Sequence, residues 1–221
     1  MFMMPGIFKK TFIILGVILL VIIGQVWISL DGKYPIVNFP PKSATIVAFG
    51  DSLTVGVGAS APEKNYISLL ENRLNMHIEN RGLSGDTTRS ALVRLDTDVT
   101  PLHPGIVIIL LGGNDYLQKV PQEETFSNLE QIIRKIQSEK AVVLLIGVRG
   151  GLLHDKWDDA FAMLAAKTGS VFVSNILDGI IGDARLMSDE VHPNDAGYLK
   201  MADKIAPALE GLVLSMQKSA Q

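Results

Sequence analysis

Residues 44–49, 106–111 and 141–148 of this chain are near-continuous runs of Ile, Val, Leu and Ala, set apart by longer amphipathic stretches. A strand with no polar side is buried on both faces, as the central strands of a parallel sheet are. Shorter runs at 77–80 and 171–173 fit two further strands. Between the runs, apolar residues recur at helical spacing. Ile67, Leu69, Leu70 and Leu74 mark a helix over 66–76, and Leu92, Val93 and Leu95 are expected to point inward from one over 87–99. Phe126, Leu129, Ile132, Ile133 and Ile136 fall in register over 123–138. Helices are also expected over 157–166 and 194–216, the last bent or broken at Pro207. Strands alternating with helices give an α/β fold, a three-layer α/β/α sandwich on a five-stranded parallel sheet. In such sheets ligands bind at the carboxyl ends of the strands.

The 221 residues suit one such domain, at 44–221, with an appendage before it. That appendage begins with an apolar stretch over 12–30, preceded by Lys9 and Lys10. Nineteen helical residues span roughly 28 Å, close to the hydrocarbon thickness of a bilayer. Residues 1–30 are therefore expected to form a transmembrane signal-anchor, with the lysines cytoplasmic and the domain in the periplasm or at the cell surface. The competing reading is a cleaved signal peptide and a secreted protein, although 28–32 offer no A-x-A-like site. Pro35, Pro40 and Pro41 make 31–43 a linker without regular structure.

Net charge is −3, and with Lys9 and Lys10 set apart, 18 basic residues face 23 acidic ones. No basic face is available for nucleic acid. The chain has no cysteine, which excludes disulfides, thiolate catalysis and Cys-ligated metals. His, Asp and Glu do not cluster at metal-ligand spacing, and no cofactor is expected. Gly56-Val57-Gly58-Ala59-Ser60-Ala61 matches a dinucleotide-binding string. The turn after the preceding strand is already taken by Gly50–Leu53, however, and no acid closes a second strand, so the string is given no role.

Four short blocks carry chemistry. Gly50-Asp51-Ser52-Leu53 follows the first strand and places a serine hydroxyl near a helix N-terminus, with Asp51 tying down the turn. Ser84-Gly85-Asp86-Thr87 opens the second helix, where a glycine lets a backbone N–H approach a ligand. Gly112-Gly113-Asn114-Asp115 ends the central strand and offers a neutral, oriented amide donor. Asp189 and His192 stand three residues apart before Pro193-Asn194, so that a carboxylate can hold an imidazole. Taken singly, each block also reads as an ordinary cap, turn or structural histidine. His77, His103 and His154 have no such partner.

Together, in this order and spacing, the blocks resemble those of the SGNH hydrolases, the GDSL esterase/lipase family, whose fold is flavodoxin-like. The chain is most similar to the bacterial thioesterase/lysophospholipase and arylesterase branch, over residues 44–215. The resemblance implies a serine hydrolase with Ser52 as nucleophile, His192 as general base and Asp189 as the acid orienting it. It also implies an oxyanion hole of the Ser52 and Gly85 amides and the Asn114 side chain. The substrate would be a small-molecule or lipid ester or thioester. The rival readings are a carbohydrate or cell-wall O-acetylesterase and a non-catalytic membrane-tethered binding protein. Leu152 and Leu153 are candidates to touch an acyl chain.

Overall fold

The structure is a computed structural model that describes residues 34–148 and 156–219. The membrane segment expected at 1–30, and Leu152 and Leu153, lie outside the described residues. Among those residues, no helix is long and apolar enough to cross a membrane.

Five parallel strands form one sheet: β1 (Ile46–Gly50), β2 (Ile78–Gly82), β3 (Ile106–Leu110), β4 (Val142–Ile146) and β5 (Val171–Val173). Their order is β2-β1-β3-β4-β5. Every residue of β1, β3 and β4 is buried, which is why the sequence shows no alternation there. β2, at the edge, buries only Ile78.

The helices are α1 (Ser52–Val55), α2 (Tyr66–Leu74), α3 (Thr88–Asp98), α4 (Gly113–Leu117), α5 (Gln122–Ser138), α6 (Lys156–Thr168) and α7 (Asp195–Ser219). α2 packs on α7, while α5 packs on both α3 and α6, giving a layer on each face of the sheet. The chain leaves β1 for β2 on one side, then returns to lay β3 on the other. That reversal opens a crevice at the carboxyl ends of β1 and β3, where this architecture binds ligands.

Local signals set the helix ends. The Asn65 side chain caps α2 by accepting from Ser68 N at 2.9 Å, and Asn75, left-handed at φ 50°, stops it. Thr87 and Ser90 form a reciprocal capping box on α3.

The expectation for Val93 needs correction, and Pro207 does not break the last helix. Val93 is 80% exposed, because α3 turns its Ala91–Leu95 face inward and Val93 lies on the opposite side at 100° per residue. α7 runs through Pro207 unbroken: Met201, Ala202 and Ile205 before it, and Leu209, Leu212 and Val213 after it, are all buried, anchoring both halves. Residues 34–45 contain no helix or strand, yet they are fastened to the domain. Tyr34 Oη donates to Ser170 O at 3.0 Å, and Asn38 Nδ2 donates to Gln137 O and Ala141 O at 2.8 and 3.0 Å.

Candidate active site

β1 ends on Gly50, where a Cβ would meet Thr54 Oγ1 at 2.1 Å and the Leu110 carbonyl at 2.7 Å. Only glycine lets β1 approach β3 this closely and turn at once into α1. Asp51 caps that short helix, its Oδ1 accepting from Leu53 N at 3.0 Å. Ser52 is the first helical residue, so its N–H belongs to the turn that has no intrahelical partner.

The histidine arrives from the other end of the chain. Residues 186–194 fold back on themselves, with Ser188 N donating to His192 O at 2.9 Å and Asn194 N to Leu186 O at 2.9 Å. Within this loop Asp189 Oδ1 accepts from Val191 N at 2.8 Å and His192 N at 2.7 Å. Its Oδ2 lies 2.8 Å from His192 Nδ1, and His192 Nε2 lies 3.0 Å from Ser52 Oγ. The His192 contact and these backbone donors hold the Asp189 carboxyl down at about 2. An ionised carboxylate only accepts, so Nδ1 carries the proton, Nε2 is the acceptor and the Ser52 hydroxyl donates to it.

The two remaining blocks close the site. Gly85 sits at φ +80° in the turn after β2, with no atom within 4 Å of where a Cβ would stand. Its glycine is therefore required by conformation, not by crowding. Gly112, at φ +111°, turns the chain from β3 into α4, which carries Asn114. The Asn114 amide donates one hydrogen to the Asp86 carbonyl at 3.0 Å, which fixes its plane. Asp115 is fully buried and serves packing: it accepts from Thr88 N at 2.9 Å and Thr88 Oγ1 at 2.6 Å, binding α4 to the start of α3.

Ser52, Gly85, Asn114 and His192 line one end of a cavity of about 400 Å³. Tyr116, Leu117, Val148, Leu177 and Ile181 make its wall apolar. Cavities of about 510 and 660 Å³ elsewhere have no histidine in their lining. Asp51 borders the same site and is 3% exposed. Burial, reinforced by the Asp86 charge, pushes its carboxyl up to about 7 against the Leu53 N–H and His192. Among the described residues, no cluster of His, Asp and Glu could hold a metal ion.

Of the five residues singled out in the sequence, Ser52, Gly85, Asn114 and His192 thus meet around one cavity, and Asp189 joins them through its contact with His192. A model of the GDSL-like Lipase/Acylhydrolase family matches residues 48–200. The chain belongs to that family. As a GDSL-type ester hydrolase it is similar to "Esterase TesA" of Pseudomonas aeruginosa, 28% identical over 180 residues, covering 76% of this chain and 89% of that protein. It is also 28% identical over 177 residues to "Thioesterase 1/protease 1/lysophospholipase L1" of Escherichia coli K12, covering 76% and 85%. A crystal structure of TesA superposes with TM-score 0.70 at 28% identity, covering 76% of this chain and 99% of that one.

Sequence reasoning passed over Gly58, in the string set aside as a decoy. At φ +98°, it packs where a Cβ would stand 2.3 Å from Ser188 Oγ, 2.4 Å from Pro193 O and 3.2 Å from His192 Cβ. The loop after α1 is thus the seat of the histidine loop in this GDSL hydrolase. The available signal was the pair Gly56 and Gly58 directly behind the serine block.

Proposed function

We propose that this chain hydrolyses carboxylic esters and thioesters of apolar acyl groups through an acyl-enzyme on Ser52. The observation that carries the reading is the unbroken line Asp189–His192–Ser52, with contacts of 2.8 and 3.0 Å. Ser52 Oγ attacks the acyl carbon as His192 Nε2 takes its proton, and the carbonyl π pair moves onto oxygen. The amides of Ser52, Gly85 and Asn114 receive that charge. Collapse of the adduct expels the alcohol or thiol, which departs with the proton from His192. Water then attacks the acyl-enzyme by the same route and restores Ser52. Asp189 keeps the imidazole in the required tautomer and balances its positive charge.

The apolar wall beside these groups supports an acyl chain as the portion of the substrate held longest. The apolar stretch at 12–30 supports action at a membrane surface on the extracytoplasmic side.

Hydrolysis of p-nitrophenyl esters from acetate to palmitate, measured beside Ser52→Ala, tests the proposal. Serine-dependent activity that peaks at medium or long chains is expected. A peak at acetate would replace the apolar acyl group with O-acetyl substrates. Activity equal to that of Ser52→Ala on every ester, with no fluorophosphonate labelling of Ser52, would overturn the catalytic reading altogether.

A further inference from the structure

Beneath the site, a single guanidinium touches both halves of it. Arg94, on α3, places Nε 2.8 Å and Nη2 2.6 Å from Asp86 Oδ2. The same Nη2 donates to the Gly50 carbonyl at 3.1 Å, and Nη1 donates to Asp98 Oδ2 at 2.8 Å. Its Cζ stands 4.2 Å from the centre of the Phe49 ring. The Asp86 side chain is fully enclosed, and that of Arg94 is 13% exposed.

Both partners of the fork lead to the reaction centre. Gly50 is the residue before Asp51-Ser52, and its carbonyl also accepts from Leu83 N at 3.0 Å, so the serine turn and the Gly85 turn meet there. Asp86 presents its own main-chain carbonyl to the Asn114 amide at 3.0 Å. Ser90 Oγ holds the other carboxylate oxygen of Asp86 at 2.5 Å, so this residue is gripped on both sides.

We propose that Arg94 is a positioning residue for ester hydrolysis. Its fork fixes Asp86 relative to the Gly50 turn, and thereby aims the Asn114 amide at the oxygen of the carbonyl group whose carbon Ser52 attacks. This inference rests on the roles given above to Ser52 and Asn114. Holding α3 in place does not by itself call for a buried ion pair, since apolar side chains of similar volume do that at least as well. What the guanidinium adds is several donors in one rigid plane, pointed at two acceptors on different loops. A lysine carries the charge as a point and cannot keep both directions.

The test compares steady-state kinetics and thermal stability across variants of the full chain. Arg94→Lys keeps a cation beside Asp86. Arg94→Met combined with Asp86→Asn removes the pair without stranding a buried charge at residue 86, and leaves the main-chain carbonyl of residue 86 present but no longer held by the fork. Both are expected to fold, with kcat lowered about 10–100-fold and KM within about 3-fold, because a misplaced donor is missed mainly in the transition state. On an Asn114→Ala background, Arg94→Lys should cost no more than about 2-fold, since the group it aims is gone. Full multiplication of the two losses would overturn the proposal, as would wild-type kcat in the folded Arg94 variants or a change confined to KM. If Asn114→Ala alone leaves kcat unchanged, the oxyanion role itself fails, and that result is read independently of Arg94.

Discussion

Two carboxyls flank the serine, and their surroundings push them in opposite directions. Asp189 is held down at about 2 by its contact with His192 and by backbone N–H groups, whereas burial lifts Asp51 from 3.8 to about 7. Below about pH 4 the Asp51 carboxyl is protonated in folded and unfolded chains alike. Between about 4 and 7 the unfolded chain ionises it and the folded chain does not, so stability falls as pH rises through that window. Asp51→Asn should remove the penalty while keeping an oxygen to cap Leu53 N. Its melting temperature is expected to match wild type near pH 4 and to exceed it by roughly 4–8 °C near pH 8, for about 2 kcal/mol recovered. Equal melting temperatures at both pH values would show that Asp51 ionises in the fold as it does in solution. The five candidate residues stood out in the sequence because each sits in a short block of turn-forming neighbours, while their roles are what the family resemblance implies. Arg94 was not legible, because its meaning lies in Gly50, 44 residues away.

Strands, helices and loops differ in how much they show beforehand. β1, β3 and β4 were plain from their composition, since burial on both faces leaves only apolar residues. α4, five residues long, was too short to display a helical period, and α1, four residues long, showed only as a helix start near Ser52. Val93 was placed on the wrong face because the true inward positions of α3, Ala91 and Leu95, include a residue as small as alanine. The loop after α1 shows what such misses cost, since its job is set by a surface it meets only in three dimensions. Gly58→Ala should push the 186–194 loop outward and separate His192 Nε2 from Ser52 Oγ. A displacement near 1 Å is expected to lower kcat about 100-fold with little change in KM. Unchanged kcat in a folded Gly58→Ala protein would mean that the histidine loop is seated by other contacts.

At the scale of the molecule, one topological event creates the site: the reversal between β2 and β3 around β1. It brings the ends of β1 and β3 together, and α7 then closes the far side, its Tyr198 Oη donating to Val57 O at 2.7 Å. Ser60 and Asp195 add a second tie, with Oγ and Oδ2 2.6 Å apart. The parallel α/β class was readable from the alternation of elements, whereas these long-range ties were not, because each joins residues more than 130 positions apart. The apolar stretch at 12–30 gives the whole protein a further expected property. Full-length chain should sediment with membranes after cell lysis, resist extraction by high salt and be released by detergent. Recovery of a soluble product starting after residue 30 would show instead that the segment is removed.

Ser52 and His192, whose side chains meet at 3.0 Å, stand 140 positions apart in the chain. A ribosome therefore finishes Ser52 long before it reaches His192, so the contact between the two side chains can form only once the last quarter of the chain has been made and docked. Under the proposed mechanism, ester cleavage waits until His192 has been made and docked beside Ser52, and a product truncated before residue 192 is expected to be inactive.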